Sequence, residues 1–400
     1  MKSVTTKART RLPNETIGPG RRQFLKTAMR AGALLALPQV IPGSALGKAG
    51  TVAPSERIIL GAIGIGGRGR YVLGCFLQDP DLHCVAVCDV RGDNRQRAKA
   101  MVDDRYGNQD CATYIDMEEL LARADIDAVL IATGPNWHAT ASVMAAKAGK
   151  DVYCEKPCTK NIAQSLILAD VFRRTGRVFQ AGTQRRSLPN FAYAVELAQS
   201  GRLGDLVTLH ARPWGMQTEM SGWLPAEPEP SHDQVDWDAY LGPAAWRPYN
   251  RKLMNAFNFE KGGGLVGGGC LEWGSHCVDL CQWANQADET TPIEYEPILD
   301  VKDDNVIECK YGNGVKLVLR RTGWLGLGTC PVRFEGDEGW VETGDSGRTA
   351  VSLDALRAGI PNPQEAGTIP TNHVRNFFDC VKSRALPAAN ADVARKSHIA

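Results

Sequence analysis

Arg57-Ile58-Ile59-Leu60-Gly61-Ala62-Ile63-Gly64-Ile65-Gly66-Gly67-Arg68-Gly69 is the stretch on which the fold of this chain turns. A short aliphatic, β-rich run passes straight into glycines, and an apolar-periodic segment containing Tyr71, Val72, Cys75, Phe76 and Leu77 follows. G-x-G-x-x-G alone is a weak signal, but between a strand and a helix it has the context of a dinucleotide-binding turn. Gly64, Gly66 and Gly69, with Gly67 and Arg68 between them, would bring backbone N–H groups close to a pyrophosphate at a helix N-terminus. The bland alternative is a glycine-rich turn with no ligand.

Moving outward, the next strand, Cys84-Val85-Ala86-Val87-Cys88, ends at Asp89, twenty residues past Gly69. A carboxylate there accepts hydrogen bonds from ribose hydroxyls and repels a 2′-phosphate, so NAD is favoured over NADP. Arg91 lies close enough to soften that preference. Ala128-Val129-Leu130-Ile131-Ala132 reads as a buried parallel strand ending at Thr133-Gly134-Pro135-Asn136-Trp137-His138. A helical segment (Ala141, Val143, Met144, Ala146) then leads to Asp151-Val152-Tyr153-Cys154 and Glu155-Lys156-Pro157. Strands alternating with helices predict an α/β Rossmann domain, a doubly wound parallel sheet whose ligands lie at the strands' carboxyl ends.

The glycine turn, Asp89, the Thr133–His138 loop, Glu155-Lys156-Pro157 and Gly182-Thr183-Gln184-Arg185-Arg186 together resemble the Gfo/Idh/MocA family (glucose-fructose oxidoreductase and inositol dehydrogenase), over roughly residues 54–390. The branch most resembled is the twin-arginine-exported one. The resemblance implies a nicotinamide site held by Gly64, Gly66, Gly67, Arg68, Gly69, Asp89, Thr133, Asn136, His138, Glu155, Lys156 and Gln184, in which Lys156 hydrogen-bonds both cofactor and substrate. Where the family usually reads Thr-Pro, this chain has Thr133-Gly134-Pro135, which leaves the roles of Pro135 and Asn136 open.

Beyond about residue 185 the alternation stops. Asp205–Ala211, Val306–Tyr311 and Gly314–Leu319 are strand-like runs separated by turn residues, which predict an α+β domain with a mostly antiparallel open sheet. The resemblance implies that this sheet roofs the active site or packs against another subunit, making a homo-oligomer. Between these runs lies Gly262–Asp279. A helix beginning near Gly269 would put Glu272 and His276 on one face, with Asp279 one turn on. In isolation that is an ordinary i,i+4 pair. It resembles the family's Gly-Gly-x-x-x-Asp-x-x-x-His-x-x-Asp, whose Asp and His flank the reacting carbinol, with Glu272 in place of the Asp. Lys156, His276 and Glu272 are thus the catalytic candidates, and Lys156, Trp273, Glu272, His276 and Asp279 the substrate-binding ones. Six of nine tryptophans (214, 223, 237, 246, 273 and 283) lie near this segment. Aromatic faces stack on sugars, and core packing accounts for each equally well; Trp273 is the leading candidate for sugar contact.

The chain has 400 residues, with 46 Lys plus Arg against 45 Asp plus Glu. Eight of the basic residues but only one acidic residue, Glu15, fall in residues 1–47, so the remainder is mildly acidic and lacks the basic surplus of a nucleic-acid binder. Arg21-Arg22-Gln23-Phe24-Leu25-Lys26, a weakly apolar stretch and small residues near Ala45 have the layout of a twin-arginine signal, too short and too interrupted by Pro38 and Pro42 to span a membrane. Export in a folded state to the periplasm, or at least outside the cytoplasm, is expected. Twelve cysteines include no Cys-x-x-Cys pair. Cys270, His276, Cys277 and Cys281 match no common zinc spacing, so buried reduced thiols and no metal site are expected.

The resulting organisation is a signal at 1–47, a cofactor domain at 55–185, a substrate and oligomerisation domain at 186–360 and a helical segment at 361–400. Asn390–Arg395 begins a helix close to the last residue, so the chain is expected to be truncated relative to similar proteins. The expected activity is hydride transfer between a sugar or polyol carbinol and nicotinamide. Because no free dinucleotide pool exists outside the cytoplasm, the cofactor is expected to be tightly bound. The alternatives are redox-neutral glycoside cleavage or epimerisation through a transient keto sugar, and a non-catalytic sugar-binding protein.

Overall fold

The computed structural model describes residues 53–213, 224–258, 269–298, 306–320, 326–362 and 371–400. The 1–47 leader, Trp214, Trp223 and the glycines of 262–268 lie outside the described residues.

β1 (Ile58–Ile63), β2 (Leu82–Cys88), β3 (Ala112–Tyr114), β4 (Ala128–Ile131), β5 (Asp151–Cys154) and β6 (Phe179–Ala181) form one sheet in the order β3-β2-β1-β4-β5-β6. All neighbours pair in parallel, so both faces must be covered. The uninterrupted burial of β4 and β5 is the consequence. Helices α1 (Gly67–Phe76), α2 (Gly92–Tyr106), α3 (Met117–Leu121), α4 (Pro135–Lys147) and α5 (Ile162–Thr175) alternate with the strands. α4 starts at Pro135, earlier than the residues after His138 suggested. Proline at the first helical position has no N–H to leave unpaired, and its fixed φ suits that turn. Asn136, Trp137 and His138 are therefore in the first helical turn, not in a loop.

α6 (Pro189–Gln199) leads into a seven-stranded sheet of β7 (Leu206–Ala211), β8 (Glu294–Ile298), β9 (Val306–Lys310), β10 (Lys316–Leu319), β11 (Val332–Gly336), β12 (Trp340–Thr343) and β13 (Thr349–Val351), ordered β13-β12-β11-β7-β10-β9-β8. Its pairs are antiparallel except β7 with β10. One face packs on α6 and on α8 (Gly269–Ala284) around Phe191, Leu197, Leu209, Leu280, Leu317 and Phe334. A short helix, α7 (Trp237–Leu241), belongs to the segment connecting β7 to α8.

The chain then returns to the first sheet. Phe377 and Phe378 of α9 (Thr371–Ser383) join Phe76 and Tyr153 in its core, with ring centroids 5.1–6.3 Å apart among them. α10 (Ala391–Ile399), N-capped by Asn390 Oδ1 accepting from Asp392 and Val393 N–H, packs against α5 and α8. Among the described residues eleven cysteines are buried free thiols, and no helix is long and apolar enough to cross a membrane.

Candidate active site

A cavity of about 770 Å³ runs along the carboxyl ends of β1, β2, β4 and β5 and extends to the first turn of α8. Its floor is the glycine turn. Gly64 has φ +75°, and a Cβ there would lie 2.4 Å from the Thr133 nitrogen. A Cβ on Gly69 would meet the Gly64 carbonyl at 2.5 Å, so α1 packs this tightly only with glycine. Gly66, Gly67 and Arg68 line the cavity beside this turn, at the positive end of the α1 dipole.

Asp89 closes one end. It is buried, accepts hydrogen bonds from Arg91 N–H at 2.9 Å and Asn94 Nδ2 at 3.2 Å, and burial raises its carboxyl pKa above the ordinary value. A ribose diol would supply the donors such a carboxylate takes. Arg91 donates from Nε and Nη2 to Asp93, both at 3.0 Å, and is thereby engaged with its own neighbour.

At the other end Lys156 Nζ donates to Glu272 Oε2 at 2.9 Å and to the Glu272 carbonyl at 3.1 Å, 5.5 Å from the centre of the Trp273 ring. Glu272 thus turns to Lys156 and not to its i,i+4 neighbour His276. The two come from separate halves of the chain, the β5 terminus and the first turn of α8. His276, one turn beyond Glu272, is buried, and its pKa is held well below the usual 6.5 by burial and by the Arg185, Lys156 and Arg68 charges. It is a neutral imidazole at pH 7, with Nδ1 unpartnered among the described residues.

Gln184 and Arg185 complete this end. Arg185 pairs with Asp345 at 2.5 and 2.8 Å and lies over the Trp273 ring at 5.7 Å, while its buried Nη1 has no partner among the described residues. Glu272 Oε1 and Gln184 Oε1 are likewise buried and unpartnered among the described residues. Arg68 pairs with Glu155 at 2.9 Å. Lys156, Arg185 and Arg68 are thus each matched by a carboxylate, a balance that suits a neutral, hydroxyl-rich ligand better than a strongly anionic one.

The two halves of this arrangement also match one family by sequence. Residues 58–183 match its NAD-binding Rossmann-fold domain and residues 207–399 its C-terminal α/β domain. The chain belongs to the Gfo/Idh/MocA oxidoreductase family.

A glycosyl hydrolase family 109 protein of Saccharopolyspora erythraea is 33% identical over 174 residues, 39% of this chain and 37% of that protein. A myo-inositol 2-dehydrogenase of Thermotoga maritima is 29% identical over 145 residues, 36% of this chain and 42% of its own. The chain spans between about a third and a half of the length of the curated relatives it matches. Among solved structures, an aldose-aldose oxidoreductase from Caulobacter crescentus complexed with glycerol shares the fold at TM-score 0.60 and 16% identity, over 86% of this chain and 95% of that one. The WlbA dehydrogenase from Bordetella pertussis, in complex with NADH and UDP-GlcNAcA, gives TM-score 0.60 and 17% identity, over 86% and 92%.

Most residues singled out from the Gfo/Idh/MocA resemblance face one cavity: Gly64, Gly66, Gly67, Arg68, Asp89, Thr133, Asn136, His138, Glu155, Lys156, Gln184, Glu272, Trp273 and His276. A nicotinamide dinucleotide fits these residues, since Gly64 and Gly69 admit no side chain in the turn, Gly66 and Gly67 leave open space beside it, and Asp89 is placed to accept from hydroxyl donors. Two of the residues singled out, Gly69 and Asp279, are not part of this lining, and Asn136 and His138 line it while also holding contacts between elements. Gly69 packs against Gly64 beneath the turn. Asn136 donates from Nδ2 to the Leu241 and Tyr240 carbonyls at 2.9 and 3.2 Å, joining α4 to α7. His138, also in the cavity lining, places Nδ1 2.7 Å from the Pro157 carbonyl and Nε2 3.0 Å from the Thr133 carbonyl, tying the β4 and β5 termini together. Asp279 lies away from the cavity. It is nearly inaccessible, pairs with Arg186 at 2.7 Å and accepts from Ser397 at 2.7 Å, because the turn of α8 that carries it faces α10 and the segment after β6.

Of the tryptophans, Trp273 lines the cavity, Trp237 is buried with Leu241, Tyr249 and Leu253, and Trp246 is exposed to solvent. Arg185 and Tyr240 were missed as site residues. Arg185 stood in plain view beside Gln184, whereas Tyr240 lies in residues 236–243, a stretch that resembles a recurrent segment of the family without indicating a ligand, and reaches the cavity from the other half of the chain.

Proposed function

We propose that this protein is an exported oxidoreductase that passes hydride from a secondary carbinol of a neutral sugar or polyol to NAD held through successive turnovers, and returns it from NADH to a carbonyl of a second sugar or of the same one. The observation that supports this best is the meeting of Lys156, Glu272 and His276 at one end of a cavity whose other end is the glycine turn and Asp89. Bound along that floor, the dinucleotide supplies the hydride acceptor. His276, kept neutral by burial and by nearby cations, accepts the hydroxyl proton. Lys156, anchored by Glu272, orients the hydroxyl and stabilises the negative charge that develops on its oxygen. Gln184, Trp273 and Arg185 bind the remaining hydroxyls and the apolar face of the ring. Asp89 supports NAD over NADP, and a homo-oligomer formed through the open sheet completes the proposal.

The test is reduction of the bound cofactor, read at 340 nm with a panel of sugars and polyols, and its reoxidation on adding a carbonyl sugar, which together give the turnover rate. Lys156→Ala and His276→Ala should each lower kcat by ~10²–10⁴-fold, and normal turnover in both would discard these roles. The similarity to glycosyl hydrolase family 109 proteins favours a second reading, in which the transient ketone acidifies a neighbouring C–H and permits elimination of an aglycone, after which the ketone is reduced again. Product analysis separates the two: a keto sugar or lactone formed alongside a reduced second sugar supports oxidoreduction, a released aglycone supports cleavage.

A further inference from the structure

On the reading that the cavity holds a dinucleotide, we propose that Asp233–Leu241 is a clasp across it, supplied by the C-terminal half of the chain, that keeps the cofactor from leaving between turnovers. The argument rests on strand order. β1, which carries the glycine turn, lies between β2 and β4. The segment 233–241 is fastened beyond the carboxyl ends of both outer strands. On the β2 side Gly92 N–H donates to the Gln234 carbonyl and Asp236 N–H to the Val90 carbonyl, both at 3.0 Å, and Arg95 Nη2 donates to the Asp233 carbonyl at 2.8 Å. On the β4 side Trp137 Nε1 donates to the Ala239 carbonyl at 2.7 Å and Asn136 Nδ2 to the Leu241 carbonyl at 2.9 Å. A segment fixed at both sides must cross over the end of β1, where the pyrophosphate would lie. Consistent with this, Ala239 and Tyr240 line the same cavity as Gly66, Asp89 and Thr133.

The clasp is a built element. Asp236 Oδ1 caps α7 by accepting from Ala239 N–H at 2.9 Å. Trp237 packs with Leu241, Tyr249 and Leu253, and stacks on Tyr240 with ring centroids 5.2 Å apart. Two glycines let it close: a Cβ on Gly92 would meet the Asp233 carbonyl at 2.7 Å, and one on Gly242 would enter the Trp137 ring. Release of a dinucleotide would therefore require one whole side to detach. A cofactor retained in this way must return its hydride to a substrate or product at the same site, so the net reaction is redox-neutral.

The test uses the full chain loaded with NADH, chased with excess NAD while the fluorescence of bound NADH is followed. Gly92→Ala loosens one side and Trp137→Phe removes the donor on the other; each should speed NADH release at least tenfold. Wild-type release rates in folded variants would overturn the clasp. As a second measurement needing no variant, hydrogen exchange at the Gly92 and Asp236 amides should slow on NADH binding, and unchanged exchange would count equally against it. Neither readout involves a sugar. NADH retention without sugar oxidation would remove the proposed activity and leave the clasp, whereas sugar oxidation with unaltered release in both variants would do the reverse. Absence of NADH binding would remove both.

Discussion

Glu272 is one methylene longer than the aspartate the family pattern carries at that position, and it meets Lys156 at 2.9 Å across two halves of the chain. Glu272→Gln keeps the size and removes the charge, so Lys156 loses its counter-ion. Kcat should fall by about 10²-fold, measured with a sugar that turns over in the wild type, with a smaller change in KM. His276 makes a prediction about pH. Because its pKa is depressed, the neutral form persists below pH 6.5, and its protonation should not limit kcat/KM between pH 8 and about 6. An acidic limb near 6.5 that disappears in His276→Gln would contradict this. Asp279 belongs to stability instead. Asp279→Ala leaves the buried Arg186 with Asp288, at 2.6 Å, as its one carboxylate among the described residues, and should cost about 3 kcal/mol in urea unfolding. A change confined to substrate KM would instead restore Asp279 to the binding site.

Among the elements, α10 has a part that its distance from Lys156 in sequence conceals. His398 Nδ1 donates to the Ala394 carbonyl of the preceding turn, which leaves Nε2 to accept from Cys158 N–H at 3.1 Å. The helix thereby holds the turn that carries Lys156, making His398 a positioning residue. His398→Ala should lower kcat roughly tenfold, about 1.4 kcal/mol, without abolishing NADH binding. His398→Gln, whose amide oxygen also accepts, should recover much of the loss. Equal kcat in both variants would show that the contact does not position Lys156. Helix α4 gives a complementary case: Pro135 at its first position places Asn136, Trp137 and His138 on three sides of one turn, each with a different partner.

For the whole molecule, the C-terminal helices join the two halves. His373 of α9 donates from Nε2 to the Ala181 carbonyl at 2.8 Å while its Nδ1 meets Ser187 Oγ at 2.8 Å. Burial depresses its pKa to about 4, against 6.5 for the ordinary side chain. Between those values the unfolded chain takes up a proton that the folded chain refuses. Stability should therefore fall as pH drops from about 6.5 to about 4, by about 3 kcal/mol from this residue, and level off below. Urea midpoints of the wild type and His373→Gln across that range should show a shallower dependence in the variant. Parallel curves would mean that His373 does not titrate as its burial requires.

The β-rich run before Gly64, the carboxylate after β2 and the Glu272–His276 spacing are local patterns, and local patterns are what a sequence displays directly. They were sufficient for a parallel dinucleotide sheet, a following antiparallel sheet and most of the cavity lining. Distant pairings required the folded chain. Glu272 turns to Lys156 and not to its helical neighbour because β5 and α8 end at the same place. Asp279, one turn from His276, leaves the site because that turn faces Arg186 and Ser397. Asn136 spends its amide on α7 because residues 233–241 cross the end of β1. Sequence determined which chemical groups the chain possesses and which element carries each. Only tertiary structure decided which groups meet, since a side chain's partner is set by packing across elements far apart in sequence.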